Sequence, residues 1–433
     1  MIEKRNKLLI LKVIHFLILV STITNAQSIW KREHLLGNWN GERIKLAENG
    51  INFDAVYTGD VFSNLSGGID RQTVYLDNID LKLNLNTEKL FNWKGGSIFI
   101  YGLGNQGKNP SKYIGDIQTI DNIAAFNTWK IYEAWIQQYF LKGKVSILAG
   151  LYNLNSEFQA LKSSSLFLNS SHGIGKAFSQ SGRNGPSIFP TTTLAFRIQW
   201  DLNDLLQIRS AVLNGTSGNP DDPYGTKIIF PPHDGILSVT EIQYFLKTGN
   251  NNIGPSDDTI RGTQNNFKGK ISAGFWIYPA KFPVVGTTYS DNKLVNGNYG
   301  FYLMGEYKIF GYDGIDEKGL AVFTRLGFSN PKINRFVSYT GFGAVYTGLI
   351  PGRDNDQFGI AFAGVHNGKE YLSLQKSKNI ITAPSELNIE LTYLCRISPW
   401  LRLQPDIQYI IHPDTNPKIK NALAVGIRTC INF

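Results

Sequence analysis

Glu133 and Trp135 are the residues whose types and spacing first suggest chemistry. Two positions apart, they share one face of an extended strand. They set a carboxylate that accepts hydrogen bonds beside a ring that can stack. Arg197, Arg209, Arg325 and Arg428 occupy comparable positions in other alternating segments, each with N–H donors in a fixed fork. Acceptor, donors and a flat ring together make a surface that holds polar solutes weakly. Covalent and metal chemistry lack their parts. His15, His34, His172, His233, His366 and His412 are scattered without metal-ligand spacing. Ser170-Ser171-His172 are neighbours in sequence, which does not make a triad. There is no Walker loop or dinucleotide fingerprint. The reading is of a protein that is not an enzyme and needs no cofactor and no metal.

The elements that must carry these residues show most clearly at the chain end. Leu423, Val425, Ile427, Ile431 and Phe433 alternate with Ala422, Ala424, Gly426, Arg428, Cys430 and Asn432, and Thr429 breaks the apolar row. A period of two means a strand. The same alternation predicts strands at 51–63, 74–86, 96–104, 129–141, 144–152, 192–202, 205–214, 236–247, 267–278, 299–310, 319–329, 335–349, 356–366, 387–398, 400–411 and 422–433. On the polar faces lie Asp54, Asp80, Lys82, Glu133, Trp135, Arg197, Arg209, Lys268, Glu306, Arg325, Glu390, Arg396, Asp406 and Arg428. The apolar faces include Phe196, Ile198, Trp200 and Leu202 in one strand and Phe267, Ile271, Phe275 and Ile277 in another.

Alternation alone fits both a soluble sandwich and a transmembrane barrel with the faces exchanged. The rest of the chain favours the barrel. Lys4, Arg5 and Lys7 precede an apolar run from Leu8 to Val20, and Thr24-Asn25-Ala26 offers a cleavage site, so residues 1–26 read as a signal peptide. After it, no stretch approaches the roughly 18 apolar residues of a spanning helix. A membrane form must then be a closed barrel, because lipid leaves no backbone group unpaired. Residues 27–50 read as a periplasmic segment with a short helix at 43–49, and 51–433 as the barrel. Connection lengths alternate in the manner of outer-membrane barrels, short at one end and long at the other. The short set includes Lys142-Gly143, Asn203-Asp204 and Pro399; the long set includes 105–128, 153–191, 215–235, 279–298, 367–386 and 412–421. One link, 248–266, breaks the parity as an insertion in a periplasmic turn or an error in the eighth strand.

Net charge is +9, near +6 without the leader, and the basic residues form no stripe of the kind that binds nucleic acid. Cys395 and Cys430 lie two strands apart on opposite faces, too far for a disulfide. The connection 153–191 carries Phe158, Leu166, Phe167 and Leu168. Its length and apolar content predict that it folds into the barrel and narrows it.

Read together, several segments resemble one family. They are Leu36-Gly37-Asn38-Trp39-Asn40-Gly41, Ile51-Asn52-Phe53-Asp54 with Tyr57-Thr58-Gly59-Asp60, Tyr132-Glu133-Ala134-Trp135, Phe167-Leu168-Asn169-Ser170-Ser171, Pro351-Gly352-Arg353-Asp354, and the ending from Ser398-Pro399-Trp400 to Phe433. In this order, over essentially the whole mature chain, they are similar to the carbohydrate-selective porins of the OprB family. The resemblance implies an outer-membrane barrel of sixteen strands through which sugars such as glucose diffuse passively, with outer-membrane lipid around it and a trimer as one possible assembly. A sugar filter needs acceptors, donors and an aromatic face, and the inward residues supply them for a pore constriction: Glu133, a position the resemblance supports, as acceptor, Trp135 as stacking platform, and Arg197, Arg209, Arg325 and Arg428 as donors that also disfavour cations. A general, weakly anion-selective porin is the alternative.

Overall fold

A computed structural model describes residues 29–231, 233–247, 267–311 and 318–433. The expected leader, the link 248–266 and most of the 311–318 turn lie outside the described residues. Sixteen strands close into one antiparallel barrel. They are β1 Ile51–Gly68, β2 Thr73–Asn86, β3 Gly96–Gly107, β4 Thr128–Phe140, β5 Val145–Tyr152, β6 Thr193–Asp201, β7 Leu206–Asn214 and β8 Ile236–Lys247. The others are β9 Phe267–Pro283, β10 Leu294–Phe310, β11 Gly319–Ser329, β12 Phe336–Thr347, β13 Gln357–Asn367, β14 Ser385–Ser398, β15 Leu401–Ile411 and β16 Lys420–Asn432. The final alternating segment closes the ring: β16 pairs with β1 from Val56↔Asn432 through Asp60↔Arg428 to Asn64↔Ala424.

The exposed side of the wall is apolar. Phe196 (51%), Trp200 (50%) and Phe275 (46%) stand outward, as do Ile271, Leu391 and Ile407. These are the residues that alternation assigned to the greasy face, and the sandwich reading, which would bury them, fails. The interior is not an open tube. The connections 108–127 and 153–192 fold into it. Leu154, Phe158, Leu161, Phe167, Ile174 and Phe178 of the second pack against inward wall residues Trp276, Tyr302, Met304 and Phe323. Gly359 of β13 makes room for this loop. A Cβ there would lie 2.7 Å from Leu166 and 2.8 Å from Phe167.

Several boundaries differ from the sequence expectation. The connection expected at 279–298 is shorter, because β9 runs to Pro283 and β10 starts at Leu294. β1 continues to Gly68 through a register shift near Ser66. The short N-terminal helix spans Glu42–Glu48, and Arg43 donates to the Phe433 carbonyl at 2.7 Å. Helices at Thr87–Phe91 and Lys369–Ser377 sit where the sequence showed only connections. Cys395 and Cys430 are free thiols.

Candidate functional site: a lumen cavity walled by two inner loops

A bulge sets the geometry of β4. Tyr101 faces Glu133 while Gly102 faces Ile131, so Tyr132 is the extra residue. The bulge switches the phase. Lys130 and Tyr132 are buried above it, Glu133 is buried below it, and Trp129 and Ile131 remain outside. Trp135 is therefore held inward with Glu133. On the neighbouring strand, Gly150 takes φ +141 where a Cβ would fall 2.3 Å from the Ala134 carbonyl oxygen and 2.6 Å from Trp135 Cα. Glycine lets β4 and β5 close beside the tryptophan.

Glu133 and Trp135 border a cavity of about 810 Å³ inside the barrel. One side is wall: Lys82 of β2, Phe99 and Tyr101 of β3, and Tyr132, Glu133 and Trp135 of β4. The other side is loop, including Gln118, Asn122, Asn155, Gln159 and Lys176. The wall is largely aromatic. Phe99 stacks on Trp135 at 4.9 Å, and Tyr101 meets Tyr132 edge-on at 5.0 Å. Glu133 Oε2 accepts from Trp135 Nε1 and from the Asn153 N–H, both at 3.1 Å. The Tyr101 hydroxyl donates to Asp80 at 2.6 Å. Lys82 lies 3.4 Å from Asp80 and 4.8 Å from the Tyr101 ring centre.

The four arginines are arranged differently. Arg197 is fully buried and donates to Glu157 at 2.8 and 2.9 Å, to Ser146 and to Gln137. Arg209 donates to the Glu157 carbonyl at 2.6 Å and to Gln199. Burial alone would push the Glu157 carboxyl up, but Arg209 and Arg197 more than offset it and hold it below the usual range. Arg428 bridges Asp60 at 2.7 Å and Asp121 at 3.0 Å, and donates to Asn122. These three do not line the cavity; they stand behind it and grip the inner loops. Arg325 reaches the cavity margin. Its donors go to the carbonyls of Gln159 (3.0 Å), His172 (2.5 Å) and Gly173 and to the Ser164 hydroxyl.

Wall carboxylates do the complementary work. Glu241 accepts from the Gln159 N–H, Glu306 from the Ser163 N–H, and Glu390 from the N–H groups of Leu168 and Asn169. Glu386 binds the N–H groups of Ile117, Gln118 and Asp414. Irregular backbone buried in a lumen has no ladder to satisfy it. Guanidinium groups take its carbonyls and carboxylates take its N–H groups. His172 belongs to this packing. Its ring lies 5.0 Å from Phe167 and 5.8 Å from Phe323. Burial, helped by Arg325, pushes it down to about 3. It is neutral, and its 3.8 Å approach to Glu390 is not an ion pair. Among the described residues no cluster of three or more metal-binding side chains occurs.

Of the six residues singled out from sequence, the structure thus brings Glu133 and Trp135 together at the cavity, puts Arg325 at its edge, and sets Arg197, Arg209 and Arg428 apart from it. Sequence reasoning placed Lys82 inward without assigning it a role. It missed Phe99 and Tyr101, whose positions two apart on β3 could have shown them. Lys176, Asn155 and Gln159 come from the loops, where no period reports direction.

A closed sixteen-strand barrel with an apolar outer face and a lumen narrowed by inward loops is the architecture of an outer-membrane porin, a channel and not an enzyme. The family model "Carbohydrate-selective porin, OprB family" matches residues 70–433, and the chain belongs to that family. It is 23% identical to Porin B of Pseudomonas aeruginosa, covering 91% of this chain and 90% of that protein. It is also 23% identical to the putative porin QuiX of Acinetobacter baylyi, over 96% and 97% of the two chains. Among solved structures, the high-pH form of Pseudomonas putida OprB superposes with a TM-score of 0.81 at 20% identity, covering 94% of this chain and all of that one. The outer-membrane channel DcaP of Acinetobacter baumannii gives a TM-score of 0.54 at 10% identity, over 88% and 97% of the chains. The protein is an outer-membrane porin of the carbohydrate-selective class.

Proposed function

We propose that the protein lets monosaccharides such as glucose cross the outer membrane passively, with selection in the cavity beside Glu133. The supporting observation is the pairing of a wall carboxylate with an aromatic surface. Among the described residues only Oε2 of Glu133 is committed, to Trp135 and Asn153, so Oε1 is left to accept from a sugar hydroxyl. Phe99, Tyr101 and Trp135 offer faces to the C–H side of a sugar ring, and Asn155 and Gln159 add amide donors and acceptors. Binding has to stay weak, because a tight site would block flow. Residues 1–26 serve as the export leader, residues 27–50 lie on the periplasmic side, and lipid covers the apolar outer face.

Liposome swelling tests this reading. Glucose enters faster than amino acids of equal size and faster than oligosaccharides, and Glu133→Gln lowers the glucose rate severalfold while single-channel conductance changes little. Equal rates for glucose and same-sized amino acids refute sugar preference. A general, weakly anion-selective porin is the second reading. It is favoured by the cavity's charged lining, Lys82, Lys176 and Arg325 against Glu133.

A further inference from the structure

The cations of the lumen are not used alike. Arg197, Arg209 and Arg428 spend their donors on carboxylates, carbonyls and side-chain amides, and Arg325 on loop oxygens. Lys176 is different. It opens the helix Lys176–Ser179 of the second inner loop and borders the cavity. Among the described residues its ammonium has no hydrogen-bond or ion-pair partner. Helix packing explains why it sits there. Ala177 and Phe178 are buried. Phe178 stacks on Trp276 at 4.9 Å, and Ala177 packs in the cluster of Tyr339 and Val365. Those contacts fix the helix and leave the lysine toward the lumen. Burial pushes its pKa down and Arg335 adds to this, while its acidic neighbours Glu386 and Asp116 favour the charged form through space; neither carboxylate lines the cavity. Lys82 borders the same cavity from β2, with its ammonium shared with Asp80. A solute inside therefore meets ammonium groups from loop and wall, and a hydroxyl acceptor in Glu133.

We infer that the cavity admits sugar acids, monosaccharides carrying one carboxylate, in preference to their neutral counterparts, with the Lys176 ammonium as the carboxylate contact. This rests on the sugar-permeable reading and deepens it. An ammonium and a carboxylate about 5 Å apart in a wet lumen attract enough for roughly a three- to fivefold preference. That is weak enough to let the solute leave.

The test is liposome swelling with the full chain, using glucose, sodium glucuronate and sodium pyroglutamate, a monoanion without hydroxyls. In the parent, glucuronate enters about three to five times faster than glucose and faster than pyroglutamate. Lys176→Gln brings the glucuronate-to-glucose ratio to about one, and Lys176→Arg restores it. Lys112→Gln, which removes the same charge from an exposed position outside the cavity, keeps the parent ratio. A ratio at or below one in the parent overturns the inference, as does a ratio that Lys176→Gln leaves intact. Glucuronate no faster than pyroglutamate overturns the sugar part of it. Failure of the underlying sugar reading shows separately, as glucose entering no faster than an amino acid of its size.

Discussion

Replacing Arg325 with Met separates two roles that this residue could have. As a sugar-binding donor, its loss would lower sugar flux and leave the pore size alone. The structure assigns its donors to the second inner loop: the carbonyls of Gln159, His172 and Gly173 and the hydroxyl of Ser164. Met fills much of the space but strands three buried carbonyls. Each costs about 1–3 kcal/mol if it stays dry, so the local penalty is about 3–9 kcal/mol, reduced wherever water can enter. The smallest response is for the turn at His172-Gly173 to shift off β11, because Glu241, Glu306 and Glu390 still hold the N–H groups of Gln159, Ser163, Leu168 and Asn169. The flanks stay pinned, by Glu157 to Arg197 at 2.8 Å on one side and by Gln180, which accepts from the Phe336 N–H at 3.1 Å, on the other. β11 keeps its backbone ladders to β10 and β12, so the barrel remains folded. The expected outcome is a higher single-channel conductance, faster entry of glucose and amino acids alike, and new protease cleavage confined to the turn at 171–175. Lower glucose entry at unchanged conductance, with the loop still protected, would refute the anchoring argument and return Arg325 to the filter.

Two further outcomes follow from other parts of the molecule. Burial pushes the Asp116 carboxyl up to about 6, outweighing help from Ser111 and Lys176. The folded state therefore holds this proton more tightly than the unfolded chain does. The penalty for the folded loop is absent below about 3.8, grows as pH rises toward about 6 and is complete above it. After correction for the pH dependence of intrinsic exchange, amides in 108–127 are thus better protected at pH 5 than at pH 7, and Asp116→Asn reduces the difference. On the outer face, Phe275→Arg near the middle of β9 costs about 2–4 kcal/mol of folding into lipid vesicles, measured by urea titration. A cost near zero would mean that this face does not meet lipid.

Much of the architecture is legible in the sequence because a strand reports its own direction. Phe196-Arg197-Ile198-Gln199-Trp200 shows its faces by parity, and the structure puts the first, third and fifth outside. The inner loops carry no such signal. Asn155, Gln159 and Lys176 reach the cavity because of packing by Phe158, Phe178 and their wall partners, and this packing depends on contacts between residues far apart in the chain. The Tyr132 bulge is equally hidden, since consecutive buried residues in β4 read in sequence as a lapse in alternation.

Parity shows that a charged side chain faces the lumen, but not whether a solute or a loop stands in front of it. The number of unsatisfied groups nearby decides this. A forty-residue connection folded indoors brings carbonyls and N–H groups without ladder partners, and each is costly to leave unmet. Wall arginines and carboxylates opposite the loop are drawn to those groups first, as Arg325 and Glu390 are. A residue remains available for solute only where the loop takes less than the side chain can give. Among the described residues, Glu133, with one oxygen engaged, and Lys176, with no partner on its ammonium, meet that condition and are the proposed solute contacts. Arg197 and Arg428, equally inward by alternation, do not. Spare bonding capacity, rather than direction, separates a porin's filter from the socket of its own loops.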